Sequence, residues 1–393
     1  MDKLTLKDID LQGKKVIMRV DFNVPLDDNL NITDDIRIQA ALPSILYILE
    51  QNPSKLILMS HLGRPKGAVV DSLSLAPVAT RLEKLIGEKI LKLNDCVGSE
   101  VKTAIDEATA KVFLLENLRF HKEETDNDPA FAKELASLAD VYINDAFGAA
   151  HRAHASTSGI AKHLPAGAGF LLERELSYLG KAVNDPERPF VVILGGAKVS
   201  DKIMLVENLL EKADALIIGG GMAYTFLKSQ GKTIGDSLCE DDRVETAAML
   251  LKKAEEKGVD IHLTEDFIVV EDFGKPEGFK IVDVIEDGWE SLDIGPKTIA
   301  KFNKVLTNAK TIVWNGPLGV FEVDAYANGT KAVAQHLATL DNATTIVGGG
   351  DSAAAAKKFN VADDMTHIST GGGASLEYLE GKVLPGVAAL NDK

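Results

Sequence analysis

Runs of consecutive apolar, mostly β-branched residues recur along the chain at 14–22, 55–61, 111–117 and 141–147, and again at 190–196, 215–221, 311–316 and 344–350. Between them lie stretches with helical spacing, among them 35–50, 76–86, 200–212 and 328–340. The runs are continuous rather than alternating, so the strands they predict are covered on both faces. Strand and helix patterns in alternation predict βαβ units and a parallel sheet, and the series occurs twice.

The fold expected is therefore α/β: two doubly wound parallel-sheet, Rossmann-like domains facing across a cleft and joined by a helical hinge. Glycine and proline punctuation in LPAGAGF (164–170) and NDPERP (184–189) marks the boundary, and LLERELSYLGKAV (171–183) between them has helical spacing. The domains expected are 1–170, a connecting helix over 171–183, and 184–377. The last segment, 378–393, contains the apolar LPGVAAL and is expected to pack back on the first domain. No repeat of 20–50 residues and no low-complexity tract is visible.

Composition narrows the class. Of 393 residues, 45% are hydrophobic and 26% charged, the profile of a globular protein. No apolar run approaches the roughly 18–20 residues of a membrane span, and MDKLTLKDID carries acids where a signal peptide is apolar. The two cysteines, Cys96 and Cys239, stand far apart, so neither a disulfide framework nor a cysteine metal site is expected, and a reducing, cytoplasmic setting fits. A net charge of −16 argues against nucleic acid or an anionic membrane as partner.

The distribution of charge says more than its sum. All nine arginines lie at or before Arg243, and Arg19, Arg37, Arg64, Arg81, Arg119 and Arg152 lie within the first 152 residues. Planar bidentate cations gathered in one half of an acidic chain suit a small, highly anionic ligand. The second half carries glycine runs instead, at 195–196, 219–221, 348–350 and 371–373, where backbone N–H groups can approach phosphate. The halves look built for two different anions.

Individual motifs have plain readings beside functional ones. Arg19, Asp21 and Asn23 alternate at strand spacing, either as ligand contacts or as a buried Arg19–Asp21 ion pair before a turn. Arg37 opens the next helix, where a surface role is the plain reading, and His61-Leu62-Gly63-Arg64 puts two cationic side chains in one tight loop. His151 and His154 lack acids or cysteines at ligand spacing, so a metal there is not expected, and His121 reads as a solvated neighbour of Glu123 and Glu124.

Lys198 and Lys202, four apart, are expected to share a face at a helix start, an arrangement that is unfavourable unless an anion binds between them. Glu322 alone reads as a first-turn helix acid. Asp351 reads as a helix N-cap or as a Mg²⁺ ligand against a nucleotide phosphate. Gly348-x-Gly350-x-x-Ala353 also fits a loose dinucleotide fingerprint, but the acid required about 20 residues on is missing at Thr370 to Gly373. No P-loop or H-R-D segment occurs.

RVDFNVP (19–25), SHLGRP (60–65), ENLRFH (116–121), AFGAAHRAHAST (146–157), GGAKVSDK (195–202), WNGPLGVFE (314–322), GGGDSAAA (348–355) and STGGGASLE (369–377) together resemble the phosphoglycerate kinase family, in the family's order. The resemblance implies reversible transfer of the acyl phosphate of 1,3-bisphosphoglycerate to MgADP, giving 3-phosphoglycerate and ATP in glycolysis and gluconeogenesis, by a monomer. It implies that Asp21, Phe22, Asn23, Arg37, His61, Leu62, Gly63, Arg64, Arg119 and Arg152 hold the phosphoglycerate. Lys198, Lys202, Asn315, Glu322, Gly349, Gly350, Asp351 and Ser352 would serve the nucleotide, with Asp351 on Mg²⁺ and Glu322 on the ribose. Serine at 352 stands where the family usually has threonine, and His262-Leu263-Thr264-Glu265-Asp266 departs from a usual Leu-Pro turn.

Phosphoryl transfer is catalysed by positioning and charge, and a carboxylate acceptor is already ionised, so no general base is needed. Arg37 and Lys198 are expected to flank the migrating group, with the N–H groups of Gly371, Gly372 and Gly373 around its equatorial oxygens. Closure about 171–183 and 369–377 is expected to exclude water. Two other classes stay open on residues alone: a nicotinamide-dependent dehydrogenase and a non-catalytic sugar-phosphate sensor.

Overall fold

The structure, a computed structural model, describes residues 3–393. It divides into two compact units, one made of the chain up to Ser177 together with Val383–Lys393, the other of Tyr178–Lys382.

The first unit is built on six strands: β1 (Lys15–Arg19), β2 (Lys55–Met59), β3 (Ile90–Lys92), β4 (Val112–Leu114), β5 (Val141–Asn144) and β6 (Ala166–Ala168). They pair in the order β3-β4-β2-β1-β5-β6, every pairing parallel. Parallel neighbours need long crossovers, and helices Ile36–Glu50 and Ala76–Ile86 supply two of them. Val16, Ile17, Met18, Leu56, Ile57, Leu58, Val112, Phe113 and Leu114 are wholly buried, as a sheet covered on both faces requires. Each such aliphatic side chain stabilises the fold by about 1.5–3 kcal/mol relative to exposure. The C-terminal segment lies on this unit: Asn144 Nδ2 donates to the Gly386 carbonyl at 3.0 Å, and Asn391 Oδ1 accepts from Ala166 N at 2.7 Å.

The second unit contains β7 (Phe190–Leu194), β8 (Ala215–Ile218), β9 (Asp260–His262), β10 (Phe267–Val270), β11 (Lys280–Val282), β12 (Glu290–Ile294), β13 (Thr311–Asn315), β14 (Thr344–Gly348) and β15 (His367–Ile368). Six of them form a second parallel sheet in the order β15-β14-β13-β7-β8-β9. The remaining three form a small antiparallel sheet, β11-β10-β12.

Two six-stranded parallel sheets bear out the expected α/β class. The pattern also missed elements, and the misses share a cause. Strands β3, β6, β9 and β15 are the edges of the two parallel sheets, each of two or three residues. So short a strand leaves no long apolar run to read, even where, as in β6, all of it is buried. The antiparallel sheet was missed because β11 is largely exposed and β12 alternates as ESLDI.

Helix Phe170–Asn184 covers the stretch read as a connector. Asp145 Oδ1 accepts from Leu171 N at 2.8 Å and Leu172 N at 3.1 Å, which satisfies donors of its first turn. In the segment that departs from the Leu-Pro turn, Asp266 does the same for helix Pro296–Thr307, accepting from Lys297 N and Thr298 N. Among the described residues no helix is long and apolar enough to cross a membrane.

Candidate functional site

The residues singled out in the first half converge just beyond the carboxyl ends of β1, β2, β4 and β5. Arg19, the last residue of β1, is fully buried. Its Nε donates to Ser156 Oγ at 2.8 Å, Nη1 donates to the Val20 carbonyl, and Nη2 lies 3.0 Å from His61 Nδ1. The Arg19–Asp21 ion pair offered as a plain reading is therefore not formed. Asp21 instead pairs with Arg37 at 2.5 Å, which also removes Arg37 from the class of free surface helix residues.

The loops are locked to one another. Asn23 Oδ1 accepts from Gly63 N at 2.8 Å, and Arg119 Nη1 donates to the Gly63 carbonyl at 2.9 Å. Gly63 holds φ of 63°, a left-handed conformation that favours glycine, and a Cβ there would press on the end of the Leu73 side chain. Phe22 is buried with its N–H donated to Ser60 Oγ at 2.9 Å, and Leu62 is buried beside it in sequence from His61. Arg64 and Arg152 are exposed, and among the described residues neither side chain makes an ion pair or hydrogen bond.

The electrostatics show that these cations share one region. Burial, then Arg19, Arg119, Arg37 and His154, hold the His61 imidazole well below its ordinary pKa. Burial, then Arg19, Arg119, Arg152 and His151, pull His154 down to about 4. Arg119 too is lowered, by burial and by Arg19. Both imidazoles are accordingly neutral near pH 7, and the remaining positive charge is opposed mainly by Asp21 and the buried Glu124. So uncompensated a set favours an anion.

In the second unit glycine turns stack backbone on backbone. Gly195 N donates to the Asn315 carbonyl at 3.0 Å and Gly196 N to that of Pro317 at 3.0 Å. Gly220 has φ of 65°, and a Cβ there would stand 2.7 Å from Gly196 N and 2.8 Å from the Pro317 carbonyl oxygen. These turns border a cavity of about 280 Å³ whose lining includes Tyr224, Leu238, Pro317, Val320, Glu322 and Asp351. Its apolar wall was not foreseen; the signal available was Tyr224, three residues beyond the Gly219–Gly221 run.

Lys202 is largely buried and donates to the Asn315 carbonyl at 2.9 Å and to Asn315 Oδ1. Burial lowers its pKa to about 8, against the opposing pull of Asp351 and Asp201. Ser352 Oγ accepts from Gly316 N at 2.6 Å, fixing the turn after β13 to the helix after β14. Gly349 caps that helix, Gly350–Lys358, with φ of 91°.

Several plain readings change here. Asp351 is not the N-cap, which is Gly349; it sits in the first turn with its carboxylate exposed. Glu322 precedes a short 3₁₀ turn (Asp324–Tyr326), and the helix begins only at Asn328, so it is no first-turn acid. Lys198 and Lys202 do not share a helix face, because helix Ile203–Leu209 starts after both; Lys198 is exposed, with Glu240 feeling its charge. The loop is held out of helix by Glu240, which accepts from Ser200 N at 3.0 Å and Ser200 Oγ at 2.5 Å. In the last glycine run, Gly371 N donates to Ser369 Oγ at 3.1 Å, while Gly372 caps helix Gly373–Leu379.

Asp351 also suits a magnesium ion. Its carboxylate lines the cavity, near Lys202, and among the described residues takes part in no hydrogen bond or ion pair. One open carboxylate, completed by phosphate oxygens, is the usual Mg²⁺ arrangement at nucleotides.

Fold and site together define a two-domain parallel α/β protein with cationic side chains beyond the carboxyl ends of one sheet and glycine turns beyond those of the other. The family model for phosphoglycerate kinase matches residues 6–382. A curated phosphoglycerate kinase of Moorella thermoacetica is 58% identical over 396 residues, covering all of both chains. Solved phosphoglycerate kinases of Coxiella burnetii (43% identity, TM-score 0.90) and Pyrococcus horikoshii OT3 (33%, 0.83) each align over 98% of both chains. The chain belongs to the phosphoglycerate kinase family.

Proposed function

We propose that this enzyme reversibly transfers the acyl phosphate of 1,3-bisphosphoglycerate to MgADP, giving 3-phosphoglycerate and ATP. The geometric observation that carries the reading is the cation set of the first unit: Arg37 pairs with Asp21, while Arg64, Arg119 and Arg152 have no ion pair among the described residues, and only Asp21 and the buried Glu124 oppose Arg119. Asp21, Asn23, His61, Arg64, Arg119 and Arg152 bind the phosphoglycerate, with Phe22, Leu62 and Gly63 shaping the loops. His61 and Arg19 rigidify the floor.

In the second unit, Lys202, Asn315, Gly349, Gly350 and Ser352 position the phosphates, Glu322 the ribose, and the 280 Å³ cavity the adenosine. Asp351 would hold Mg²⁺, which supplies charge neutralisation between the phosphate oxygens. Arg37 and Lys198 flank the migrating group. The N–H groups of Gly372 and Gly373 are directed to its oxygens; that of Gly371 orders the turn through Ser369. The acceptor carboxylate is ionised at neutral pH, and no residue is asked to take a proton.

Transfer requires closure that brings donor and acceptor together, hinged at helix Phe170–Asn184 and at 369–377. The enzyme acts as a cytoplasmic monomer. An assay of Mg²⁺-dependent ATP consumption with 3-phosphoglycerate tests the reaction, and absence of turnover overturns it. Solution scattering with both substrates tests closure; an unchanged radius of gyration counts against it.

A further inference from the structure

We propose that Asp95, Cys96 and His121 form a binding site for a thiophilic divalent cation of the Zn²⁺ type, on the first unit and apart from the residues assigned to phosphoglycerate. In sequence the three show no ligand spacing. Strands β3 and β4 bring them together: they pair from Ile90↔Val112 to Lys92↔Leu114, so the loops leaving their carboxyl ends run side by side. Asp95 and Cys96 lie on the first loop. His121 ends the short turn Leu118–Phe120 on the second.

One ligand atom from each residue lies within 4.8 Å of the other two. His121 Nε2 is 2.6 Å from Asp95 Oδ1, so Asp95 is the partner of this histidine, not Glu123 or Glu124 as its place in the sequence suggested. Cys96 is fully buried, and its Sγ donates to the Glu116 carbonyl at 3.0 Å. The Cys96 N–H donates to Asp95 Oδ1 at 2.6 Å, which turns the carboxylate back over its own thiol. The His121 ring rests on Phe131, with ring centroids 5.0 Å apart, and this sets its plane.

The donor set selects the ion. Sulfur, imidazole nitrogen and a single carboxylate suit Zn²⁺ and its spectroscopic substitute Co²⁺, whereas Mg²⁺ and Ca²⁺ take oxygen throughout. Bonds of about 2.0–2.3 Å in a tetrahedron put donor atoms roughly 3.3–3.8 Å apart. The His121–Asp95 contact of 2.6 Å is shorter than that range and every donor pair lies within 4.8 Å, so that pair opens slightly to admit the ion. Water or the Glu116 carbonyl completes the fourth position.

The surroundings are negative. Burial first, then Asp95, Glu124 and Glu116, push the Cys96 thiol up, with Lys92 the opposing cation, and that lysine is held by Glu116. A lone thiolate is disfavoured there, but a dication that displaces the thiol proton relieves the repulsion. The proton of the His121–Asp95 contact leaves with it, or moves to Nδ1.

Titration of the chelator-treated full chain with Co²⁺ tests the site. The expected result is a near-ultraviolet thiolate-to-cobalt charge-transfer band that saturates at one equivalent and is erased by Zn²⁺. Cys239→Ser keeps the band and Cys96→Ser loses it. Because Cys96 is buried, Asp95→Asn and His121→Gln provide variants at more exposed positions, each expected to weaken Co²⁺ binding by about tenfold or more, the range seen for altered metal shells. Both should unfold in the same cooperative transition as the parent when metal-free. Absence of the band, its survival in Cys96→Ser, its loss in Cys239→Ser, or unaltered titrations of the other two variants overturns the proposal.

Discussion

The two units share a sheet architecture, and on the proposed assignment of sites each meets its anion by different means. In the first, side chains carry the charge: arginines at the ends of strands and turns, two histidines kept neutral by burial and then by those arginines, and Asp21 paired with Arg37. In the second, the backbone does most of the work through stacked glycine turns, with Lys202 tied to Asn315 and Asp351 left open. The difference matches the ligands proposed for each unit. A small sugar acid bristling with charge presents little surface except its anions, so several guanidinium groups are needed. A nucleotide offers a base, a ribose and a phosphate chain, which an apolar slot and close backbone approach serve better.

The largest expected effect separates charge from scaffold. Arg37→Ala should lower turnover by roughly 10²–10⁵, by analogy with arginine fingers and oxyanion donors, while leaving nucleotide affinity measured by calorimetry unchanged. Near-normal turnover would remove Arg37 from the reaction.

Next come two buried carboxylates, one in each unit. Burial raises Asp145 from 3.8 to about 6 and Asp293 from 3.8 to about 7. Since each folded-state value exceeds the unfolded one, the native state binds the proton more tightly. The stability each contributes is full below about pH 4 and is lost as pH rises through 6 and 7, on the order of 3–4 kcal/mol per site. Asp145→Asn and Asp293→Asn should flatten the dependence of unfolding free energy on pH between 4 and 7, each by its own share. Denaturant titrations across that range measure it, and an unaltered slope in either variant contradicts the assignment.

A backbone test of the second unit is smaller. Gly220→Ala forces a side chain into a positive-φ turn against Gly196 and Pro317, and should cost about 1–3 kcal/mol of stability and weaken nucleotide binding. Phosphoglycerate binding should be untouched; if it falls equally, the division of labour is wrong.

The smallest effect concerns Ser352. Ser352→Thr retains the hydroxyl that accepts from Gly316 N and should change the Michaelis constant for ATP by less than about twofold, since the hydrogen bond survives. Ser352→Ala leaves that buried N–H without a partner, at about 1–3 kcal/mol, visible as a lower unfolding midpoint.

Much of this molecule was legible in its residues. Continuous apolar runs such as 14–22 and 190–196 marked the central strands because a parallel sheet covered on both faces leaves no polar position to break the run. Chemistry-bearing residues could be named because they follow those runs directly: His61 after β2, Asn315 closing β13, Gly349 after β14. What local pattern could not carry was partnership between distant segments. That Asp21 pairs with Arg37 and not Arg19, that Glu240 accepts from Ser200 forty residues away, and that the β3–β4 pairing sets Asp95 and Cys96 beside His121 are visible only in the folded chain. Local sequence determines which segments become buried strands, because burial is paid residue by residue. Which side chains then meet is decided by the crossovers and by edge strands too short to leave a periodic signal, so only the assembled sheets reveal it.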